Sequence, residues 1–341
     1  MLTIDGEAGG GQMLRTALTL SVITDTPFEM TGIRGDRPTP GLRPQHLTAV
    51  ELTADLCDAD VSDASQGSES LTFRPGSEWE TTLTADVGTA GSITLLFDTV
   101  LPVATMMDQP LSVVATGGTD VKWAPTIGYY RHVKLPLLAR CGLQASVTLD
   151  RTGFYPAGGG QATLTAEPTT LSPLALDHRG GLEDVSIYSK ASEDLEASEV
   201  AARQASHAAE LLTDAEFPVT DEHVEYVETY STGSALVIAG RYQETVVGVD
   251  ELGEPGLPSE EVAAEAVESF SELHEAGAVV DPHMADQVLV YLALAGGTVR
   301  IPRATNHVET NLAVIESFDL PVSISEQDGS SVLTAPAPSE R

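Results

Sequence analysis

Segments of helical and of strand periodicity alternate along this chain in three rounds, an arrangement that few folds accommodate. "LTID" reads as a short strand and "GQMLRTALTLSVIT" as a helix, with Met13, Leu14, Ala17, Leu18 and Val22 on one side. "FEMTGI" follows as a strand, "RPQHLTAVELTADLC" as a second helix, and "LTFRP" and "ETTLTA" as strands. The order recurs as helix "AGSITLLFDTVLPVAT", strand "LSVVATG", helix "APTIGYYRHVKLPLLARC" and strands "QASVTLD" and "QATLTAE". It recurs again as helix "PHMADQVLVYLALAGG", strand "TVRIP", helix "HVETNLAVIESF" and strands "PVSISEQ" and "SVLTAP". Sequence identity between rounds is slight, but their comparable length predicts an α/β fold of three repeated αβ units.

Between the second and third rounds the composition shifts to acidic and Ala-rich. Strand-like "EHVEYVETY", "ALVIAG" and "ETVVGV" appear there with helix-like "ASEVAARQASHAAELL". A last helix starts at Pro258-Ser259-Glu260-Glu261 and stops at Gly277. The expected organisation is a large repeated αβ domain of residues 1–179 and 277–341, interrupted by a smaller inserted α/β domain of residues 180–276.

The 341 residues include 51 acids against 17 bases, a formal net charge of −34. Disorder is the first alternative for so acidic a chain, but the periodic apolar segments speak against it. Such a surface suits a cytoplasm of very high salt, where acidic side chains keep a protein soluble. The Debye length falls to about 3 Å at 1 M salt, so the net charge does not exclude a polyanionic partner. Lysine is confined to Lys122, Lys134 and Lys190, and arginine supplies the remaining bases. Cys57 and Cys141 have no CxxC spacing, no apolar run reaches about 18 residues, and the start "MLTIDGEAGG" does not resemble a signal peptide. The expectation is a soluble cytoplasmic protein.

Chemistry-bearing residues gather in a few stretches. "AGGGQ" occurs twice, at Ala8–Gln12 and Ala157–Gln161. The first copy joins a strand to a helix, where free backbone N–H groups and the helix dipole favour an anion, with Arg15 one turn in. A tight turn with no ligand is the rival reading. "IRGDRPTPGLRPQHL" places Arg34, Arg37, Arg43 and His46 against the single acid Asp36, a local reversal of sign. Arginine forks match phosphate oxygens, although pairing with scattered surface acids would also account for them. In "ATNHVETNLAVIESF", Asn306 is a plausible N-cap with Glu309 three residues on, which puts His307 in the first helical turn. A neutral imidazole there could act as a nucleophile beside an anion site, or be an ordinary polar residue. "HMADQ" sets His283, Asp286 and Gln287 early in another helix, where simple first-turn capping is the plainer account.

Taken together, these stretches resemble the RNA 3′-terminal phosphate cyclase family over essentially the whole chain. The matching pieces are "IDGEAGGGQMLRTALTLS", "IRGDRPTPGLRPQHLTAVELTADLC", "VGTAGSITLLFDTVLP", "GGTDVKWAP", "RTGFYPAGGGQATL", "ADQVLVYLALAGG" and "NHVETNLAVIESF". With the acid-rich composition, they point to an archaeal, halophilic member. The resemblance implies ATP, a divalent ion (Mg²⁺ or Mn²⁺) and an RNA bearing a 3′-terminal phosphate, with no membrane partner and a homo-oligomer allowed. It implies that a histidine becomes adenylylated, that AMP passes to the RNA 3′-phosphate, and that the 2′-hydroxyl then closes a 2′,3′-cyclic phosphate.

Carried onto this chain, the nucleophile is His307. The nucleotide site comprises Arg15, Arg34, Arg37, Arg43, Gln45, His46, Asp98, Pro125, His283, Met284, Ala285, Asp286 and Gln287. The second glycine run, in "GFYPAGGGQ", would be a structural turn. The chain departs from the family pattern at three places. Ala8 stands where a metal-binding Glu is usual, which leaves Glu7 as the candidate ligand. Asp98 replaces a glutamine of the ATP pocket, and Met284 replaces an aromatic near the Asp–Gln pair. A ribosome-biogenesis branch of the family binds without catalysing and lacks the histidine, so "TNHVETN" favours the enzyme. An enolpyruvyl transferase, of similar repeated architecture, is the more distant alternative.

The charge generates the first testable outcome. Self-repulsion of the −34 chain is unscreened in dilute buffer. Folding, followed by circular dichroism, and RNA cyclisation should therefore both require molar salt. Cyclisation fastest in dilute buffer and falling steeply with added salt would contradict this reading.

Overall fold

A computed structural model describes residues 1–327 and 329–338. Each round of the repeat begins with a strand. The first unit comprises β1 (Leu2–Asp5), α1 (Gly11–Thr24), β2 (Phe28–Thr31), α2 (Pro44–Cys57), β3 (Asp60–Ser62) and β4 (Leu71–Arg74). The second comprises β5 (Thr82–Asp86), α3 (Ile93–Val100), β6 (Leu111–Gly117), α4 (Ile127–Tyr129), α5 (Leu135–Ala139), β7 (Ala145–Arg151) and β8 (Gly160–Ala166), with a π-helical turn Tyr130–Lys134 joining α4 to α5. The third opens with β9 (Leu174–Leu176) and is then interrupted by β10 (Leu182–Ser192), α6 (Val200–Asp214), β11 (Val219–Val227), β12 (Ser234–Tyr242), β13 (Val246–Leu252) and α7 (Ser259–Glu275). It resumes with α8 (Pro282–Ala295), β14 (Gly297–Ile301), α9 (Asn306–Ser317), β15 (Ser323–Gln327) and β16 (Ser330–Ala335).

The three sheets share one topology: β1-β2-β4-β3, β5-β6-β8-β7 and β9-β14-β16-β15. In each, the first two strands are parallel and the remaining pairings antiparallel. This shifts the repeat by one element relative to the sequence reading. "ETTLTA" does not close the first unit; Thr82 pairs with Ser112 and Asp86 with Thr116, so it opens the second. The strands β3 and β9 were not foreseen, because three residues are too few to display a period. The chain is mixed α/β throughout.

The first helix of each unit lies inside. Helix α1 buries residues from Gln12 to Val22 almost without a break, α3 buries Ile93–Phe97, and α8 buries Val288–Ala293. Helices apolar on all sides have no solvent face, so they fill the centre. Helix α1 packs on α2 and α9, α2 on α3, and α8 on α9, which joins the three units around one core. Within it, Leu14, Leu18 and Leu20 are each no more than 1% exposed. Burying each such side chain contributes about 1.5–3 kcal/mol.

The interrupting segment forms its own sheet, ordered β11-β10-β12-β13. Alternate residues of β12 point to opposite faces. Leu236 and Ile238 pack with Ala205 of α6 and Ala266 and Phe270 of α7 in a second core. Val237 and Ala239 face the other way and join the large core. Glycines permit that approach: a Cβ at Gly248 would lie 2.4 Å from Val133 Cγ2, and one at Gly128 would lie 3.0 Å from Val237 Cγ2. No described helix is long and apolar enough to cross a membrane.

Gly297 is where the third unit is stitched across its interruption. It pairs with Leu174, its φ is +111°, and a Cβ there would lie 2.1 Å from the Leu174 carbonyl oxygen. Gly297→Ala should lower unfolding free energy by about 2 kcal/mol or more, from strain plus the clash. Gly67→Ala adds strain alone, since φ is +87° and nothing lies within 4 Å. Denaturant unfolding in high salt compares them, and equal losses would contradict the pairing.

Candidate active site

The first glycine run leaves β1 and starts α1 at Gly10, an extended N-cap with no side-chain cap. Its first-turn N–H groups therefore face outward for an anion. Side chains crowd against the missing Cβ atoms. A Cβ at Gly11 would lie 2.3 Å from His46 Nε2 and 3.1 Å from an Arg15 guanidinium nitrogen, and one at Gly10 would lie 3.0 Å from Arg37. His46 is buried, and its Nδ1 accepts the Arg43 backbone N–H at 3.1 Å. Burial first, then the charges of Arg15, Arg34 and Arg43, push its pKa down to about 3. The ring is neutral at working pH, and its remaining proton sits on Nε2, aimed at the glycine turn.

The other members of the arginine loop divide the work. Arg34 adopts φ 55° and donates to the Thr39 and Gly41 carbonyls at 2.9 Å each, so part of its guanidinium holds the loop itself. Burial lowers its pKa, and Arg43 and Arg37 lower it further. Arg37 and Arg43 are exposed. Gln45 turns to the opposite side, where its Oε1 accepts the Ser92 N–H at 3.2 Å.

Beneath the glycine turn lies a crevice lined by Arg15, Asp98, Lys134, Asp286, Gln287 and Tyr291. The Lys134 ammonium, 1% exposed, donates to Asp98 at 2.5 Å and to Gln287 Oε1 at 2.7 Å. Burial depresses the pKa of both Lys134 and Arg15, and Asp98 and Asp286 oppose it. Lys134 is a site residue that sequence reasoning missed. Its signal was present: one of only three lysines, set in the apolar run "YYRHVKLPLL". Asp98, expected as a nucleotide contact, lines the crevice and is paired with this lysine, because a buried ammonium needs a counter-charge. The Tyr291 hydroxyl is buried in the same crevice without a hydrogen-bond partner among the described residues. An unsatisfied polar atom there fits a site made for a polar ligand.

Helix α9 brings His307 to the rim. Its N-cap is Thr305, whose Oγ1 accepts the Val308 N–H at 3.4 Å, and not Asn306 as the sequence indicated. Asn306 instead donates to the Ala8 carbonyl at 3.4 Å, which ties the helix start to the first glycine turn. His307 is half-exposed, with Nδ1 3.6 Å from the Asp286 carboxylate. Gln12 to Thr310 (3.3 Å) and Thr16 to Asn311 (3.1 Å) pin α1 against α9.

Five further predicted residues lie outside this crevice. Met284 and Ala285 are buried in the core at 0% and 3% exposure, because α8 is enclosed on that side, so what they could offer a nucleotide is backbone, as the resemblance implies. Pro125 is buried, and its carbonyl accepts the Thr94 hydroxyl at 2.9 Å. His283 contacts Asp250 of β13 at 3.0 Å and packs edge-on against Tyr129, while Asp250 also accepts the Thr126 N–H at 2.6 Å. It clamps the inserted sheet to the body. Glu7 is exposed, with its N–H on Asp5, and no group of three potential metal ligands exists among the described residues. A lone carboxylate fits only an ion held mainly by phosphates and water.

The second glycine run is a turn between β7 and β8. Gly158 and Gly159 have φ of 65° and 67°, and a Cβ at Gly158 would lie 2.7 Å from Ala90 Cα.

Residues 6–324 match the family model described as RNA 3′-terminal phosphate cyclase. The RNA 3′-terminal phosphate cyclase of Halobacterium salinarum is 42% identical, over 98% of this chain and 100% of the relative. That of Pyrobaculum neutrophilum is 42% identical over 94% and 93%, and that of Methanosarcina mazei 39% over 96% and 98%.

The His283 clamp makes stability depend on pH. Burial disfavours the charged ring, but the Asp250 hydrogen bond and the charges of Asp250, Asp281 and Asp286 outweigh it, raising the pKa from 6.5 to about 9. A raised folded-state pKa contributes stability that is complete below the unfolded value and lost as pH rises through about 9. The unfolding midpoint should therefore fall between pH 7 and 10, and His283→Gln should flatten that limb. A parallel decline in the variant would assign the pH dependence elsewhere.

Proposed function

The chain belongs to the RNA 3′-terminal phosphate cyclase family, and we propose on that premise that it converts an RNA 3′-terminal phosphate to a 2′,3′-cyclic phosphate with ATP, through an adenylylated His307. The imidazole attacks the α-phosphorus of ATP, forming a P–N bond as the bond to pyrophosphate breaks. An oxygen of the RNA 3′-phosphate then takes the AMP, and the P–N bond breaks. The neighbouring 2′-hydroxyl loses its proton and attacks the activated phosphorus, and AMP leaves. Splitting one displacement into three lets a single anion-binding centre serve each step.

The observation that carries this reading is the convergence of His307, Asp286, Arg15 and the first glycine turn. A proton on Nδ1, the ring nitrogen 3.6 Å from Asp286, would leave the Nε2 lone pair for attack. The glycine-turn N–H groups with Arg15, Arg37 and His46 Nε2–H would hold the phosphates and stabilise charge on them. Gln287 and Asp286 would border the nucleoside, and Lys134 would hold Asp98 and Gln287 in place. A bound Mg²⁺ or Mn²⁺ would neutralise triphosphate charge, with Glu7 as its protein carboxylate. Residues 180–276 would act as an inserted domain whose sheet backs this site. The acidic surface suits work in a highly saline cytoplasm.

Incubation with α-labelled ATP tests the centre of this proposal. The protein should acquire a covalent AMP label, and His307→Asn should abolish it while circular dichroism stays native, because the ring is half-exposed. The variant should still cyclise a pre-formed RNA–adenylate, which bypasses the first step. Persistent labelling of His307→Asn would move the nucleophile elsewhere, with His46 the next candidate.

A further inference from the structure

A cavity of about 950 Å³ opens between the body and the inserted sheet. Gln45 and Ser92, joined by their hydrogen bond, form the wall nearest the arginine loop. Its rim carries Trp123, 96% exposed, and Tyr155, 72% exposed, and Phe154 forms part of its wall. Trp123 sits at φ 65°, a left-handed conformation unfavourable for a bulky residue, and its indole is held out in water. Tyr230, 69% exposed, stands beside the second glycine turn under the Arg151 guanidinium, 5.2 Å from its ring centre. Only 5% of this chain is aromatic, yet three of its most exposed rings lie around this one opening.

The charges at this opening are paired, and they engage two of the chain's lysines. Lys122 lines the cavity in an exposed pair with Glu254, and Lys190 bonds the cavity-lining Asp120 at 3.3 Å. With Lys134 in the crevice, every lysine of the chain lies at one of the two sites.

We propose that this cavity binds the terminal nucleosides of a single-stranded RNA, with its bases stacked on Trp123 and Tyr155 and its 3′-phosphate directed past Gln45 toward the glycine turn. The inference rests on the function proposed above. Stacking tolerates any base and, unlike phosphate contacts, is not screened by salt, so it suits a protein of net charge −34. Gln45, which lies in the same sequence stretch as Arg34, Arg37 and Arg43, lines the cavity, and this favours RNA over a protein ligand.

A Trp79→Phe variant leaves Trp123 as the sole tryptophan. Titration in molar salt with a short oligoribonucleotide ending in a 3′-phosphate should quench its fluorescence saturably, and ATP alone should not. Trp123→Ala and Tyr155→Ala should each raise the KM for that RNA about tenfold, with kcat at saturating RNA little changed. Equal quenching by ATP would reassign the cavity to the donor nucleotide and overturn the inference. Absent quenching with unchanged KM would also overturn it and leave the cavity to a protein partner. Wild-type protein that takes no label from ATP would sink the function proposed above, while the Trp123 titration would still report whether RNA enters.

Discussion

Everything at the candidate site depends on the packing of α1 against α9, elements some three hundred residues apart in the chain. The buried Thr16–Asn311 hydrogen bond and the Gln12–Thr310 contact set their register. Because side chains three and four apart share a helix face, that register carries the preceding turn of each helix to the same place. The N-terminal glycines of α1 and the His307 turn of α9 thus meet, and Asn306 reaches the Ala8 carbonyl. A slip of one residue along either helix would rotate the ring away from the anion site.

Electrostatics then act on this frame in a way the surface charge does not suggest. The exterior is strongly acidic, but the crevice holds Arg15 and Lys134, offset by Asp98 and Asp286, and Arg34, Arg37 and Arg43 stand in the loop beside the glycine turn. Burial weakens the buried cations' hold on their protons, and each is kept charged by a carboxylate within the network. His46 has no carboxylate to offset the same effect: buried and enclosed by arginines, it stays neutral and contributes a directed N–H donor. An incoming polyphosphate would find positive charge already oriented, with little reorganisation needed.

The inserted sheet completes the arrangement by being two-faced. One face of β12 closes a small core of its own and the other seats against α4, while β13 meets the π-helical turn. Asp250 reaches across from β13 to cap α4 and to hold His283. The large cavity lies where this second layer meets the body, so its walls come from segments distant in sequence.

The sequence alone determined the class of fold, and it offered the first glycine turn and His307 as candidates for the site. Each of these is a local property: a hydrophobic period, free N–H groups after a strand, a residue type in a helix's first turn. It determined less well what depends on partners. Thr82–Asp86 reads the same as a last strand or a first one, and only pairing with β6 decides. Asp98 and Met284 occupy positions that resemblance marks as ligand contacts. Tertiary packing gives one to a buried lysine and encloses the other in the core. Lys134 acquires its role only because α3 and α8 converge on it. Helical phase and cap chemistry act over a few residues and can be read directly, whereas burial and charge pairing are set by what the fold places alongside.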